Sequence, residues 1–229
     1  VAYGTAVGLD TTGLLLALPL SQHDTTLHVR SAVSTPYLDM TVDTAARFGV
    51  EICHNDYKEF YIEGGQRYRP AFFSIEGDWS AAAMLLVAGE VTVKNVSMLS
   101  KQADTAICTA LVRAGAAVIN DEDSVTASHR PLRAFEFDAT HCPDLFPALA
   151  ALAAAAQGES VIRGTSRLEH KECNRADAIR EEYAKAGIEV DTSQEDIMRI
   201  RGGRIRQARV QSHGDHRMAM SMAVAGLLC

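Results

Sequence analysis

The densest group of residues able to do chemistry is Glu169-His170-Lys171-Glu172-Cys173-Asn174-Arg175, between a predicted strand and a predicted helix. A lysine, a carboxylic acid and an arginine at a helix N-terminus could bind an anion and move a proton beside it. Lys171 and Arg175 are four residues apart, which predicts that they share one helix face. Such a run of charges is also typical of a solvated surface, and spacing alone leaves both interpretations open.

A second polar stretch, Ser212-His213-Gly214-Asp215-His216-Arg217, leads into an apolar segment that reads as the last helix. Gly214 allows a tight turn, and Asp215 is a favourable N-cap because its carboxylate can accept from free amides of the first turn. A buried helix that begins with His216 and Arg217 indicates an anion site. The alternative is an N-cap followed by two surface cations.

Asp144 follows Pro143 at a third predicted helix start, which makes it a candidate base or a plain N-cap. Similar openings occur at Asp10, Asp78 and Asp215, so that the four acids are spaced by 68, 66 and 71 residues. The helix-ending glycines Gly49, Gly115 and Gly187 keep nearly the same step, at 66 and 72 residues. Two markers in phase predict an internal repeat.

Each repeat reads as helix, strand, helix, strand, strand. The predicted elements are 11–20, 26–29, 36–48, 50–53 and 59–62; 79–88, 91–93, 103–114, 117–119 and 124–127; and 145–156, 160–162, 175–186, 189–191 and 196–200. A strand at 208–211 and the helix from Asp215 would begin a fourth unit. The first helix of each repeat is apolar on nearly all faces and should be buried, whereas the second carries charges and should be amphipathic. A lobe boundary is predicted around 70–76.

Composition narrows the class of protein. The 229 residues are 47% hydrophobic and 22% charged, as in globular proteins, and the net charge of −7 disfavours non-specific binding to nucleic acid. There is no apolar run of membrane-spanning length and no visible signal peptide. Five cysteines without a CxxC pair predict reduced thiols in the cytoplasm. Because the chain begins at Val1 and stops at Cys229 beside an apolar helix, we expect it to be part of a longer protein.

Three of these stretches together resemble a known family. Pro143-Asp144-Leu145, the run from Arg167 to Arg175 containing Lys-Glu-x-x-Arg, and Gly214-Asp215-His216-Arg217-Met218-Ala219-Met220 are similar to the signatures of the EPSP synthase family of enolpyruvyl transferases. Ser34-Thr35-Pro36-Tyr37-Leu38-Asp39-Met40-Thr41 and Glu76-Gly77-Asp78-Trp79-Ser80-Ala81 match two further motifs in the same order. The resemblance runs over nearly the whole chain but covers roughly half of the family's length.

The resemblance implies an α/β (α+β) fold, an inside-out α/β barrel built of repeated β-α-β-α-β-β units in two lobes. Residues 1–75 would be the last repeat of the N-terminal lobe, and 76–229 most of the C-terminal lobe. The implied reaction moves the enolpyruvyl group of phosphoenolpyruvate to the 5-hydroxyl of shikimate 3-phosphate and releases phosphate. The implied enzyme is a cytoplasmic monomer without metal or organic cofactor, nucleic acid or membrane partner, and it needs the missing N-terminal part.

Roles follow by position in the motifs. Asp144 resembles the base that takes the hydroxyl proton, Lys171 the lysine at the reacting centre, and Glu172 the acid that protonates the methylene. The resemblance also implies substrate binding by Arg175 and Arg217, which would clamp phosphoenolpyruvate, and by Ser34, Tyr37 and Arg167. Guanidinium groups suit this because they offer paired donors to oxyanions. Asp215 and His216 would position Arg217, and Asp78 would support the site without touching substrate.

Some features depart from the family pattern. Val7-Gly8-Leu9 stands where the family carries a substrate-binding Ser-Ser-Gln, and Asn174 replaces the common Asp. The first part of the family sequence and its last lysine lie outside the chain, so we expect half a cleft with little or no turnover alone. Alternatives are the sister enzyme that uses a UDP-sugar and a non-catalytic lobe of the same fold. A relative that processes RNA ends is disfavoured by the acidic charge.

Overall fold

The computed structural model describes residues 2–4, 8–169 and 171–228. These residues fall into two compact units. One comprises the described residues up to Ile75 together with Lys101–Ala103, and the other comprises Glu76–Ser100 and the described residues from Asp104 onward. None of the described helices is both long and apolar enough to span a bilayer.

The first unit contains one four-stranded sheet and two α-helices among its described residues, with a 3₁₀ helix, Leu18–Leu20, after the first of them. Its elements are β1 (Ala2–Gly4), α1 (Gly8–Ala17), β2 (Thr25–Val29), α2 (Thr35–Arg47), β3 (Ile52–Asn55) and β4 (Glu59–Ile62). The strand order is β1-β2-β4-β3, with β1 parallel to β2 and the other pairs antiparallel. Its core is apolar and includes Leu15, Leu27, Leu38, Val50 and Phe60.

The second unit contains two sheets and five α-helices among its described residues. Its elements are α3 (Trp79–Ala88), β5 (Val91–Lys94), α4 (Ile107–Arg113), β6 (Ala117–Asn120), β7 (Ser124–Ser128), β8 (Glu136–Asp138), α5 (Phe146–Ala155), β9 (Gly158–Arg163), α6 (Arg175–Lys185), β10 (Glu189–Asp191), β11 (Ile197–Gly202) and α7 (His216–Leu227). The sheets have the orders β10-β11-β9-β8 and β5-β7-β6.

Strand pairing confirms the internal repeat. The sheet of β8 to β11 repeats the pairing of β1 to β4, since its first two strands are parallel and its other pairs are antiparallel. The spacing of residues in the sequence predicted neither β1 nor β8, because each has only three residues. With these leading strands, the first and third repeats have the order β-α-β-α-β-β that the family resemblance implied. The fold is therefore of the mixed α+β class.

Burial of the apolar first helices is confirmed for α5 and for most of α3, but it is wrong for α1, where Leu14 and Leu16 are each 39% exposed. In α5 every side chain from Phe146 to Ala154 is buried, and α3, α5 and α7 contact one another inside the second unit. A helix that is apolar on all faces finds no favourable position at a surface. The N-termini of α5 and α7 are thereby fixed within one packed group of helices.

Three local predictions are wrong. The segment 203–212 contains no strand, because its backbone donors bond to the neighbouring helices instead: Arg206 N donates to Ala186 O over 2.8 Å, and Gln211 N to the Glu182 carboxylate over 3.0 Å. Asp144 does not cap α5, since it lies inside a 3₁₀ turn, Pro143–Leu145, that precedes this helix. Lys171 and Arg175 do not share a helix face, because α6 begins only at Arg175.

Candidate active site

Three helix starts in the second unit supply the polar cluster. Asp144 precedes α5, Arg175 is the first residue of α6, and Asp215 caps α7, which also carries Arg217 in its first turn. The predicted N-cap is confirmed, since Asp215 Oδ1 accepts from the Arg217 amide over 2.8 Å. Gly214 makes the entry to the helix with a φ of 74°, a conformation that glycine adopts easily.

Arg175 is the centre of the cluster and is completely buried. Its Nε donates to Asp215 Oδ2 and its Nη1 to Asp144 Oδ1, both over 2.6 Å, and its Nη2 donates to Glu172 Oε2 over 2.5 Å. Burial alone lowers the pKa of Arg175, but the hydrogen bonds that it donates to Asp215 and Asp144 outweigh burial and raise this pKa above its ordinary value. Arg175 therefore stays charged and joins all three helix starts.

Asp144 is where the cations converge. Lys171 Nζ lies 3.1 Å from its Oδ1, and Arg217 Nη2 lies 3.9 Å from its Oδ2, so both approach a carboxylate that already accepts from Arg175. Burial tends to raise the pKa of Asp144, but the charges of Lys171 and Arg217 and the bond from Arg175 hold this pKa below its ordinary value. Asp144 is thus an ionised carboxylate at neutral pH.

Two cations of the cluster are partly exposed to solvent. The side chains of Lys171 and Arg217 are 25% and 14% exposed, whereas that of Arg175 is fully enclosed. Arg167 lies close enough to Asp144 for that negative charge to act on it, although burial lowers the pKa of its guanidinium overall. Lys171 and Arg217 are therefore accessible to an anion from solvent, whereas Arg175 is not.

Two predicted residues lie at the edge of the cluster. Glu172 touches Arg175 but is 45% exposed, so its carboxylate has room to turn. His216 Nδ1 is 3.9 Å from Asp215 Oδ1, which is beyond hydrogen-bond distance, and its ring is 63% exposed. Its role in positioning Arg217 stays a prediction. Cys173 Sγ lies 3.8 Å from Asp215 Oδ2, and burial raises the pKa of this thiol.

Three other predicted residues are not part of the cluster as described. Asp78 caps α3 and accepts from the Ser80 amide over 2.9 Å. Ser34 and Tyr37 belong to the first unit: Ser34 precedes α2 with a left-handed φ of 55°, and its carbonyl accepts from the Tyr37 amide. The predicted departure at Val7-Gly8-Leu9 begins at a residue outside the described ranges. The substrate-binding roles of Ser34 and Tyr37 stay predictions.

Sequence reasoning missed Glu182. It reads as one of several surface charges on α6, yet it is fully buried and holds Lys185, His213 and the Gln211 amide. A signal was present, because Glu182 continues the row of Arg175, Ala178 and Ile179 at steps of three, four and seven residues. That row is the buried face of the helix.

Comparison with known proteins gives one consistent result. The family model described as EPSP synthase (3-phosphoshikimate 1-carboxyvinyltransferase) matches residues 3–229. The 3-phosphoshikimate 1-carboxyvinyltransferase of Clostridium perfringens (strain ATCC 13124) is 37% identical over 224 residues, which are 95% of this chain and 53% of that protein. The protein of the same name from Methanococcus maripaludis (strain C6) is 34% identical over 228 residues, again 95% and 53%.

A solved structure is similar in fold. The EPSP synthase from Acinetobacter baumannii superposes with a TM-score of 0.79 at 24% identity, covering 97% of this chain and 54% of that one. At this identity the likeness concerns the fold alone. The chain spans about half the length of the curated relatives that it matches.

Proposed function

The chain belongs to the EPSP synthase family, and on this premise we propose that it supplies half of the active site of a 3-phosphoshikimate 1-carboxyvinyltransferase. The whole enzyme would transfer the enolpyruvyl group of phosphoenolpyruvate to the 5-hydroxyl of shikimate 3-phosphate and release phosphate. One observation carries the proposal: a single carboxylate, Asp144, is approached by Lys171, Arg175 and Arg217, while Glu172 accepts from a different nitrogen of the Arg175 guanidinium.

The reaction needs an acid and a base on different sides of one carbon, with cations to hold the charge. Asp144 takes the proton of the attacking hydroxyl as its oxygen bonds to the substituted vinyl carbon. Glu172, in its protonated form, gives a proton to the methylene, which becomes a methyl group. In the second half the methyl group returns a proton to Glu172, the double bond reforms, and phosphate leaves with the proton that Asp144 took from the hydroxyl. Lys171 and Arg217 contact the anionic groups throughout.

The low pKa of Asp144 fits a base that becomes effective only when substrates bind. Without substrate the charges of Lys171 and Arg217 stabilise its ionised form. Anionic substrates beside these two cations would offset their field and thereby raise the proton affinity of Asp144. The basicity of Asp144 would then rise in the loaded site.

Arg175 and Glu172 would rearrange together. As described, Arg175 faces three carboxylates and no solvent, so it could contact phosphoenolpyruvate only after one of them turns away. Glu172 is the most exposed of the three. If it turns, Arg175 gains a donor for the ligand and Glu172 gains access to the methylene. This movement makes the predicted roles of both residues compatible with the described contacts.

We also propose that the repeats belong to inside-out α/β barrels, with 1–75 as the last repeat of one lobe and 76–229 as most of the other. Support comes from the mutual packing of α3, α5 and α7 and from the complete burial of α5. In such a barrel these helices form the interior. A crystal structure of the full-length protein tests this arrangement, and helices α3 and α5 on its outer surface would contradict it.

The function is tested by calorimetric titration of the chain with shikimate 3-phosphate in the presence of phosphoenolpyruvate. UDP-N-acetylglucosamine is the control ligand. Arg217→Ala should weaken binding about 10- to 100-fold, since charge-assisted hydrogen bonds contribute about 1.5–3 kcal/mol. Arg180→Ala is the matched control, because Arg180 is 53% exposed and pairs with Asp177 on the surface of α6.

Different results of these experiments would contradict different parts of the proposal. Equal affinity in Arg217→Ala and wild type would remove Arg217 from the site. Binding of the UDP-sugar in place of shikimate 3-phosphate would overturn the substrate assignment. Steady phosphate release by the purified chain, at the rate of a full-length relative, would contradict the proposal that it supplies only half of the site.

A further inference from the structure

Glu182 is a buried carboxylate in the C-terminal half of α6. Both of its oxygens are used: Oε1 lies 2.8 Å from Lys185 Nζ and 2.6 Å from His213 Nε2, and Oε2 accepts from the Gln211 amide over 3.0 Å. Burial tends to raise the pKa of Glu182, but these bonds outweigh it, and the pKa lies below its ordinary value. One fixed negative charge thus holds two points of the segment that leads into α7.

The backbone turn at His213 and Gly214 in that segment needs contacts with other parts of the chain to maintain its conformation. His213 and Gly214 have φ values of 53° and 74°, and Asp215 then returns to an extended conformation with φ −107°. A residue other than glycine in the left-handed region is uncommon and costs free energy, so the surrounding contacts must maintain it. The bond from the His213 ring to Glu182 is such a contact.

The position of Arg217 depends on this turn. Asp215 follows Gly214 directly, and its carboxylate bonds to both the Arg217 amide and Arg175 Nε. A change in the backbone at His213 would therefore move the acid that caps α7. Arg217 would move with it, since Asp215 Oδ1 accepts from its amide over 2.8 Å.

A metal site is the competing interpretation of the same residues. Ligand atoms of Glu181, Glu182 and His213 all lie within 4.8 Å of one another. The ammonium of Lys185, however, lies 2.9 Å from Glu181 and 2.8 Å from Glu182. The described residues already supply the cation between these carboxylates, so they carry no argument for a metal ion.

We propose that Glu182 is a positioning residue for Arg217: by holding Gln211 and His213, it fixes the turn that aims the α7 N-terminus and its guanidinium at the anion site. The proposal rests on the proposed function in assigning Arg217 to phosphoenolpyruvate. The physical link from Glu182 to Arg217 is tested without any ligand.

Glu182→Gln is the first variant. The side-chain amide keeps the size and one acceptor, but its NH₂ group cannot accept a bond, so the Gln211 amide, His213 and Lys185 can no longer all be satisfied. Glu181→Gln is the matched control, because it removes the same charge from the adjacent residue and loses a contact to the same Lys185, yet Glu181 is 57% exposed. His213→Ala breaks the same contact from the loop side and serves if Glu182→Gln fails to fold.

The direct readout is hydrogen exchange of the Arg217 amide, measured by NMR on the chain. We expect exchange about tenfold faster in Glu182→Gln and in His213→Ala, and unchanged within about twofold in Glu181→Gln. The Ala151 amide in the middle of α5 reports global unfolding, so exchange of Arg217 that accelerates more than that of Ala151 in the same variant identifies local opening. Unchanged Arg217 exchange in both test variants would overturn the proposal.

The second readout is calorimetric titration with phosphoenolpyruvate and, separately, with shikimate 3-phosphate. We expect Glu182→Gln to weaken phosphoenolpyruvate binding about tenfold and to leave shikimate 3-phosphate binding unchanged, a selectivity that simple loss of stability does not produce. If wild type binds neither ligand, the proposed function fails while the exchange data still decide the positioning role. Equal weakening of both ligands would contradict a specific role through Arg217.

Discussion

Helix α6 carries two buried charges of opposite sign on one face, Arg175 at its first residue and Glu182 two turns later. Arg175 is surrounded by the carboxylates of Asp144, Glu172 and Asp215, and Glu182 by two basic side chains and a backbone amide. Both ends bind the segment that leads into α7. The helix therefore fixes the same segment by two arrangements with reversed charges.

The two ends differ in what surrounds the buried charge. Asp215, one of the three partners of Arg175, is itself fully buried, whereas Lys185 and His213 at the Glu182 end are 34% and 25% exposed. Partners that reach water can be solvated if the central charge is lost, but a buried partner cannot. We infer that the contacts around Arg175 are rigid, whereas those around Glu182 can adjust. We call the first group of contacts the rigid frame and the second the tether.

The largest expected effect is the loss of the Arg175 charge. Arg175→Met has a similar volume but leaves Asp215 as an unpaired buried carboxylate, which should lower the free energy of unfolding by about 3–5 kcal/mol. Urea denaturation of the chain measures the change, with exposed Arg180→Met as the control. A variant as stable as wild type would show that Asp215 can become protonated or solvated, and the rigid frame would be disproved.

Removing the Glu182 charge should lower the free energy of unfolding less than removing the Arg175 charge. Glu182→Met leaves the Gln211 amide without its acceptor, but Lys185 keeps its contact with Glu181 and can turn toward water. We expect a loss of about 1–3 kcal/mol in the same urea experiment, since the main penalty is one unsatisfied polar group and its neighbours. A cost equal to that of Arg175→Met would contradict the distinction between a frame and a tether.

Low pH should destabilise the contacts at both ends of α6. The folded pKa values of Asp144, Asp215 and Glu182 all lie below their ordinary values, so the unfolded chain binds more protons between the two values. Stability is therefore present above the ordinary values of 3.8 for Asp and 4.5 for Glu and is lost as pH falls below them. Each carboxylate contributes a slope of at most about 1.4 kcal/mol per pH unit.

Unfolding by urea at several pH values between about 2.5 and 6 checks the sign. Glu182→Gln should show a shallower loss of stability on acidification than wild type. A slope that is unchanged in Glu182→Gln would mean that folding does not lower the pKa of Glu182.

Contacts between neighbouring residues of these two groups could be predicted from the sequence, whereas contacts between distant residues could not. Asp215 was identified as an N-cap because capping depends on adjacent residues. The burial of Arg175 depends on partners 31 and 40 residues away, at the starts of other helices, and no local pattern specifies such contacts. The motif resemblance brought these residues into one site, but it did not reveal that Arg175 faces carboxylates.

Predictions of secondary structure failed where tertiary contacts determine the backbone conformation. The alternation at 208–211 predicts a strand, but the nearest acceptors for this segment lie at the end of α6, and Glu182 binds the Gln211 amide. The strand β8 is too short to stand out by alternation and exists because it pairs with β9. In contrast, α3 forms at 79–88 as predicted, because an Asp cap and a continuous apolar run mark both its start and its burial.

The smallest expected effect is that of replacing Glu172, the most exposed carboxylate that contacts Arg175. Glu172→Gln keeps an acceptor for Arg175 and removes a charge that is 45% exposed, so the loss of unfolding free energy should be only about 0.2–1 kcal/mol. In the series Asp215→Asn, Asp144→Asn and Glu172→Gln, the cost should fall as the exposure of the native carboxylate rises. Urea denaturation of all three variants gives the order. A large cost for Glu172→Gln would mean that this carboxylate is held as firmly as Asp215. It could then not turn toward a ligand, and its proposed role as the proton donor would lose its structural basis.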